Sequence, residues 1–351
     1  MRFGSMLLNN TTIHFLWRRA VCVLTLTAAV CSTGSLLAQP VDQPLQTPVE
    51  HHPSDSVVQH SADSFIERFR LTSTAHTVDL PEVVATTASL SRSCGHTGPC
   101  SQVLPSSLLY RPYIAAPHEP RFSTAALFDP SSGTSRWDAS LGSRVGLYRR
   151  VRPTNMNLDA WQIDIEGAAM VRLDPQEKMD LEAGDYRFGL LWTGQRDKVT
   201  YKVGYFHTSS HIGDEFLIKN PTFQRINYVK ESLIVGTSWQ ASEEWRLYGE
   251  VAYGVIATGG AEPFQFQLGT EYAKQAIRVS RGAPFVAANI EMREEVDFTP
   301  GASILAGWQW RNPGTLKAFR MGLQFFNGPS NQYSFFDQYD NQIGFGVWYD
   351  Y

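Results

Sequence analysis

The sequence predicts an all-β protein: an antiparallel transmembrane β-barrel of about 12 strands behind a flexible N-terminal segment. Apolar and polar residues alternate with period two from Pro120 to Tyr351. The connections between these runs alternate short and long, as in bacterial barrels with short periplasmic turns and long outer loops. The chain also opens on what reads as an export signal.

In that signal Arg18 and Arg19 precede the apolar run AVCVLTLTAAV, and SLLAQP follows. A basic flank, an apolar core and a small residue predict a signal peptide over residues 1–38, cut after Ala38 with Leu36 at the third position before the cut. A lipoprotein cut before Cys31 is the alternative, but AAVC lacks the usual leucine. A permanent membrane anchor is disfavoured by the Thr, Ser and Gly that interrupt the run. Cleavage removes Cys22 and Cys31 and leaves Cys94 and Cys100 in CGHTGPC. In an exported chain this pair predicts a small disulfide loop. A zinc site using the intervening His96 lacks a fourth ligand.

Residues 39–105 are rich in Pro, Ser, Thr, His and Gln without a sustained period, which predicts a flexible periplasmic segment. Ser64 and Glu67 form a capping-box pattern at the head of SFIERFRL, which predicts one short helix there.

Residues 106–351 read as the barrel. The first strand is expected near Arg121–Phe128 and the last at the C-terminus. Trp137, Ala139, Leu141, Val145 and Leu147 alternate with Asp138, Ser140, Arg144 and Tyr148. Trp161, Ile163, Ile165, Ala169 and Val171 alternate with Gln162, Asp164, Glu166 and Arg172. Further along, Tyr186 to Trp192, Val199 to Tyr205, Trp245 to Val255, Phe264 to Tyr272 and Ile343 to Tyr351 keep the same period. GQRDK (194–198), QASEE (240–244) and RNPGT (311–315) are short turns, whereas the segments near 174–184, 208–226 and 327–341 are long. An even strand count puts both chain ends on one side. Trp and Tyr crowd the strand ends, as an interfacial girdle requires. A soluble β-sandwich also alternates, but it needs neither girdles at both ends nor an export signal.

The inward set predicts a plugged lumen. Arg144, Asp164, Glu166, Arg172, Arg187, Lys202, Lys230, Arg246, Glu250, Glu271, Glu291, Arg311 and Arg320 project inside. Twelve strands leave a narrow interior, and long side chains of both signs can pair there. This disfavours a general porin and leaves a narrow selective pore as an alternative. The formal net charge of -4 over 351 residues argues against a nucleic-acid partner. The expected partner is membrane lipid. The last strand ends on an aromatic with aromatics in phase before it, like the C-terminal strand that the barrel-assembly machinery reads.

YIAAPHEPRFS (113–123), HTSSHIGDEF (207–216), RINYVKE (225–231), RLYGEVAY (246–253), APFVAANIEMREE (283–295) and the ending IGFGVWYDY stand in order along Tyr110–Tyr351. These blocks resemble a bacterial family known as domain of unknown function 1207, with the N-terminal segment outside the resemblance. It implies an exported barrel of the outer-membrane type and brings no activity with it.

One constellation carries chemistry. His207 and Ser209 continue the outward phase of Val199, Tyr201, Val203 and Tyr205 at the long-loop end of their strand. On the following strand the outward set is Val229, Glu231, Leu233, Val235, Thr237 and Trp239. Each strand runs eight residues from its short turn, 199 to 207 and 239 to 231, so His207 and Glu231 are expected level and both outward. Ser209 as nucleophile, His207 as general base and Glu231 as the group orienting the imidazole make a Ser-His-Glu constellation. The histidine-any-serine tripeptide resembles that of the outer-membrane phospholipase and lipid A deacylase barrels, which implies a lipid acyl ester as substrate. Ser210 stands where those motifs continue with asparagine, and the loop before Glu231 is longer. The duller reading makes His211, Gly213, Asp214 and Glu215 a structural loop cap, with Gly213 supplying a tight turn. Asp214 and Glu215 are also candidate calcium ligands. MREEVD (292–297) reads as a solvated loop at a strand end. No phosphate-binding glycine loop, zinc-protease motif or nucleophile elbow is present.

Overall fold

The computed structural model describes residues 99–153, 158–274, 279–312 and 317–350. The expected signal peptide, the helix at Ser64 and the residues Cys94 and His96 lie outside the described residues. A short strand β1 (Cys100–Val103) precedes β2 (Phe122–Asp129), β3 (Thr134–Pro153), β4 (Leu158–Asp174), β5 (Asp180–Arg196) and β6 (Val199–Ile212). A six-residue helix α1 (Asp214–Lys219) leads to β7 (Tyr228–Gln240), β8 (Trp245–Thr258), β9 (Phe264–Ala273), β10 (Ala283–Arg293), β11 (Gly301–Arg311), β12 (Ala318–Pro329) and β13 (Tyr339–Asp350). Each strand from β2 to β13 pairs with its sequence neighbours, and β13 pairs with β2, so twelve strands close into one antiparallel barrel. With strands about 4.8 Å apart and tilted by about 40°, the wall is about 24 Å across between backbones. Among the described residues no helix is long and apolar enough to cross a membrane.

The barrel is inside out relative to a water-soluble one. Phe188, Leu190 and Trp192 on β5, and Leu233 and Val235 on β7, are exposed outside, whereas Arg144, Asp164, Glu166, Arg172, Lys202 and Arg246 are buried inside. An apolar exterior around a polar interior is the arrangement lipid imposes, so the barrel is of the outer-membrane type. Aromatic pairs ring the short-turn end, where Trp192 meets Tyr201, Trp245 meets Tyr272 and Trp310 meets Phe319. Trp137, Tyr186, Tyr253 and Tyr339 are exposed toward the other end.

Three bulges break the alternation. Gly146 pairs with Asp164 but Tyr148 with Ile163, so Leu147 is an extra residue in β3. The phase flips there. Tyr148 tilts against the outward Trp161, and Arg149 turns inside instead. The expectation of Tyr148 inward is corrected by that single inserted residue. The second bulge is Val255 in β8, because Glu231 pairs with Ile256 and Ser232 with Gly254, and the third is Glu182 in β5, because Arg172 pairs with Ala183 and Leu173 with Leu181.

The stretch expected to be flexible through residue 105 already contains β1, which pairs with β3 from Cys100 opposite Val151 to Val103 opposite Tyr148. Cys100 is disulfide-bonded. Residues 105–121 then leave the wall altogether and fill the lumen. Four prolines, Pro105, Pro112, Pro117 and Pro120, withhold ladder donors and keep this segment out of the sheet. The wall holds it by its backbone. Arg246 donates to the Arg111 and Pro112 carbonyls at 2.8 and 3.1 Å, and Glu271 accepts from Ile114 N at 2.7 Å. Tyr113 stacks on Tyr248 with centroids 3.8 Å apart and donates to Glu250 at 2.9 Å. The charges of the wall pair as expected, Arg144 and Arg187 with Glu166, Arg246 with Glu271 and Arg172 with Asp138 and Asp340.

The long-loop mouth is closed by residues 330–338 between β12 and β13. Tyr333, Ser334 and Phe335 are buried. Tyr333 lies on Tyr228 and on His118, and Phe335 packs edge-on against Phe216 and Phe223 of the α1 loop. Glu295 is drawn into the same mouth with its side chain 1% exposed, 3.8 Å from Lys230 and accepting from Tyr228 at 3.1 Å. Glu295 of the MREEVD segment is therefore a lumen contact, because Lys230 and Arg293 need an anion, while Asp297 stays exposed as a solvated loop residue. A cavity of about 60 Å³ remains between Ile114–His118 and the wall, room for a few waters.

Gly213 precedes α1 with φ -63°, so a left-handed turn is not what requires glycine there. A Cβ would instead lie 1.9 Å from the Leu181 carbonyl oxygen. Gly213→Ala is expected to destabilise the fold by about 1–3 kcal/mol, measured by urea unfolding in detergent, because β5 must shift to admit the methyl group.

Candidate active site

β6 and β7 position the constellation. Both strands rise from short turns, and their ladder sets Val199 opposite Trp239 and His207 opposite Glu231. All of His207, Ser209 and Glu231 are partly exposed, whereas the alternating Thr208, Ser210, Lys230 and Ser232 are buried inside. The expected level, outward placement is what the strands adopt.

His207 Nδ1 stands 2.7 Å from Glu231 Oε1. The other carboxylate oxygen, Oε2, accepts from the Tyr205 hydroxyl, one outward position below His207. Glu231 is thus gripped by both oxygens. With Nδ1 engaged, Nε2 is the imidazole nitrogen left for a substrate or a hydroxyl. The His207 and Glu231 side chains are 32% and 22% exposed, so the pair is half-buried at a barrel surface where a histidine is otherwise unexpected. Tyr205 was read only as an apolar-phase residue; its hydroxyl, two positions before His207 on one strand face, was the available signal.

Ser209 is the next outward residue after His207, about 7 Å along the strand by its rise, and pairs with Tyr186 on β5 and Val229 on β7. Its hydroxyl makes no hydrogen bond among the described residues. The β8 bulge adjoins the site. It places Ile256 opposite Glu231, and Val255 and Ile256 are both exposed, giving an apolar shoulder beside the pair. Phe188, opposite His207 on β5, supplies the other shoulder.

Ser210 points the other way. It is buried, and its hydroxyl meets Ser334 Oγ at 2.7 Å and accepts from Ser334 N at 2.9 Å, tying the strand behind Ser209 to the mouth loop. His211 lies against Tyr186 with ring centroids 6.0 Å apart. Asp214 and Glu215 open α1, and the Asp214 carboxylate is 3.9 Å from Arg225. Nearby, Lys219 spans Asp180 at 2.7 Å and Glu177 at 3.0 Å, and the Asp180 contact raises its pKa. Among the described residues no group of three or more His, Cys, Asp or Glu side chains is arranged to hold a metal ion.

A family model described as "Protein of unknown function (DUF1207)" matches residues 54–351. The match takes in the N-terminal segment from residue 54, which the quoted sequence blocks had left outside. No curated protein matches the chain. Among solved structures, the chain is similar to a Salmonella typhi outer membrane phospholipase dimer with bound calcium, at 10% identity over 66% of this chain and 91% of that one, with a TM-score of 0.44. It is similar also to Escherichia coli outer membrane phospholipase A and to an active-site mutant of it, each at 11% identity over 69% of this chain and 94% of that one, with a TM-score of 0.44.

Proposed function

As the chain belongs to the DUF1207 family, whose function is unknown, we propose an activity from its own residues: an outer-membrane lipid acyl hydrolase in which Ser209 attacks an ester carbonyl. The observation that carries this is the His207 Nδ1 to Glu231 Oε1 contact of 2.7 Å on the lipid-facing rim beside a serine of the same face. Ser209 Oγ bonds to the carbonyl carbon while its proton passes to His207 Nε2. Glu231 holds the ring through Nδ1–H and stabilises the imidazolium. The ester C–O bond then breaks and the leaving alcohol takes the proton. Water, deprotonated by the same nitrogen, releases the fatty acid and restores Ser209. The site lies toward the long loops, which in such barrels face outward from the cell, so the substrate is an outer-leaflet lipid. The apolar shoulders Phe188, Val255 and Ile256 give its acyl chains a surface.

In this reading the N-terminal signal exports the chain, Cys94 and Cys100 close a small disulfide loop, and the end of β13 is the mark for the barrel-assembly machinery. The test is release of fatty acid from phospholipid and lipid A vesicles by the refolded protein. Glu231→Gln is expected to lower kcat by about 10²–10⁴ with little change in KM, since it removes the charge that supports the imidazolium but not the binding surface. Equal rates for the two proteins would mean that the pair only braces the barrel.

A further inference from the structure

The lumen wall carries charged and polar side chains beside buried apolar clusters, such as Leu191, Phe206, Ile234 and Ala252, yet the segment that fills it is not part of the wall. Leu104 N donates to Leu147 O in the half of β3 nearest its short turn. At the other end of the segment, Phe122 pairs with Tyr349 at the foot of β13. Residues 105–121 therefore enter and leave by the same, short-turn end. They form a loop that can be drawn out toward that end without breaking a strand pairing of the barrel. The tip of the loop also supports the opposite mouth. His118 stacks on Tyr333 with centroids 4.2 Å apart, and both His118 Nε2 and Tyr333 N approach Asp185 Oδ2, at 3.3 and 3.2 Å. Around that joint His118 Nδ1, Asp185 Oδ1 and Gln332 Oε1 have no hydrogen-bond partner among the described residues although buried. Withdrawing the loop removes one support of residues 330–338, leaving them held by Tyr228, Ser210 and the α1 loop.

We propose that the barrel is a closed pore: residues 105–121 are a withdrawable stop, and the passage they occupy conducts small hydrophilic solutes of either charge. The wall they leave presents Arg144, Lys202 and Arg246 beside Glu166, Glu250 and Glu271. Charges of both signs line it, so the passage discriminates weakly between cations and anions. Burial of Leu109, Tyr110, Tyr113 and Ile114 keeps the stop seated at rest. Opening therefore requires a pull from the N-terminal side or a solvent that competes for the hydrogen bonds. The proposal is independent of Ser209.

The experiment is conductance of the refolded full chain in planar lipid bilayers, before and during urea addition, beside a variant in which residues 106–119 are replaced by a short Gly-Ser linker. Heat-modifiable gel mobility reports whether each barrel is folded. The full chain is expected to be silent, to conduct reversibly at urea concentrations that leave the barrel folded, and to close when urea is removed. The linker variant is expected to show open steps without urea, with a reversal potential near zero in a potassium chloride gradient. A folded linker variant that stays silent would overturn the proposal, as would a full chain that conducts like the variant without urea. If the variant does not fold, the urea series decides alone: silence up to the unfolding transition overturns it.

Discussion

Ser209→Ala is expected to reduce acyl release by about 10⁴–10⁶ while leaving the barrel folded. The size follows from what is removed. A serine hydroxyl is a poor nucleophile at neutral pH, and only an adjacent base makes covalent attack competitive. Without Oγ, the His207–Glu231 pair has no nucleophile to activate. The structural cost is small, because Ser209 is partly exposed on the lipid face and its hydroxyl holds nothing else among the described residues. Activity and stability should therefore separate cleanly, with fatty-acid release lost and heat-modifiable mobility unchanged. Ser210→Ala should behave in the opposite way. Its hydroxyl faces the lumen and binds Ser334 through both N and Oγ, so it should lower stability by about 1–3 kcal/mol and retain turnover.

The largest stability effect is expected from Glu166→Ala. Glu166 and Arg144 have fully buried side chains, and Glu166 takes Arg144 on one oxygen at 2.7 Å and Arg187 on the other at 2.8 Å. Removing the carboxylate strands two guanidinium groups inside the wall. Arg144 is left with the Tyr110 carbonyl at 3.4 Å and Glu119 at 3.5 Å, both on the lumen segment. Breaking a buried pair from one side costs about 3–5 kcal/mol, because the remaining charge stays desolvated without compensation. Urea unfolding followed by tryptophan fluorescence in detergent measures this. Glu166→Gln keeps an acceptor for one arginine and should fall between the variant and the native protein.

The wall was legible because each strand answers to one rule. A lipid-facing residue must be apolar and its neighbours must not be, so β6 and β7 could be placed and levelled from their short turns. That is why His207 and Glu231 could be expected opposite each other, and the ladder has them so. The rule fails where one residue is inserted. Nothing in LGSRVGLYRR marks Leu147 as the bulge, since Tyr148 and Leu147 are both plausible on a lipid face. The bulge at Val255 was hidden in the same way, because Val255 and Ile256 both suit lipid. The lumen segment escaped for a different reason. Its contacts are with strands far along the chain, Tyr113 with Glu250 and Ile114 with Glu271, and local periodicity carries no long-range information. Its signal was indirect: four prolines and a run of Tyr, Ile and Ala just ahead of the first strand have no place in a solvated linker. Glu295 was misread by the same limit, since its partner Lys230 lies on another strand.

An activated Ser209 nucleophile is open to covalent capture. The refolded protein would be treated with a lipid-soluble fluorophosphonate and digested, and the adduct located by mass spectrometry, beside a His207→Ala variant. One adduct on Ser209 is expected in the native protein and none in the variant. No adduct on Ser209, or one that forms equally well without His207, would contradict that activation.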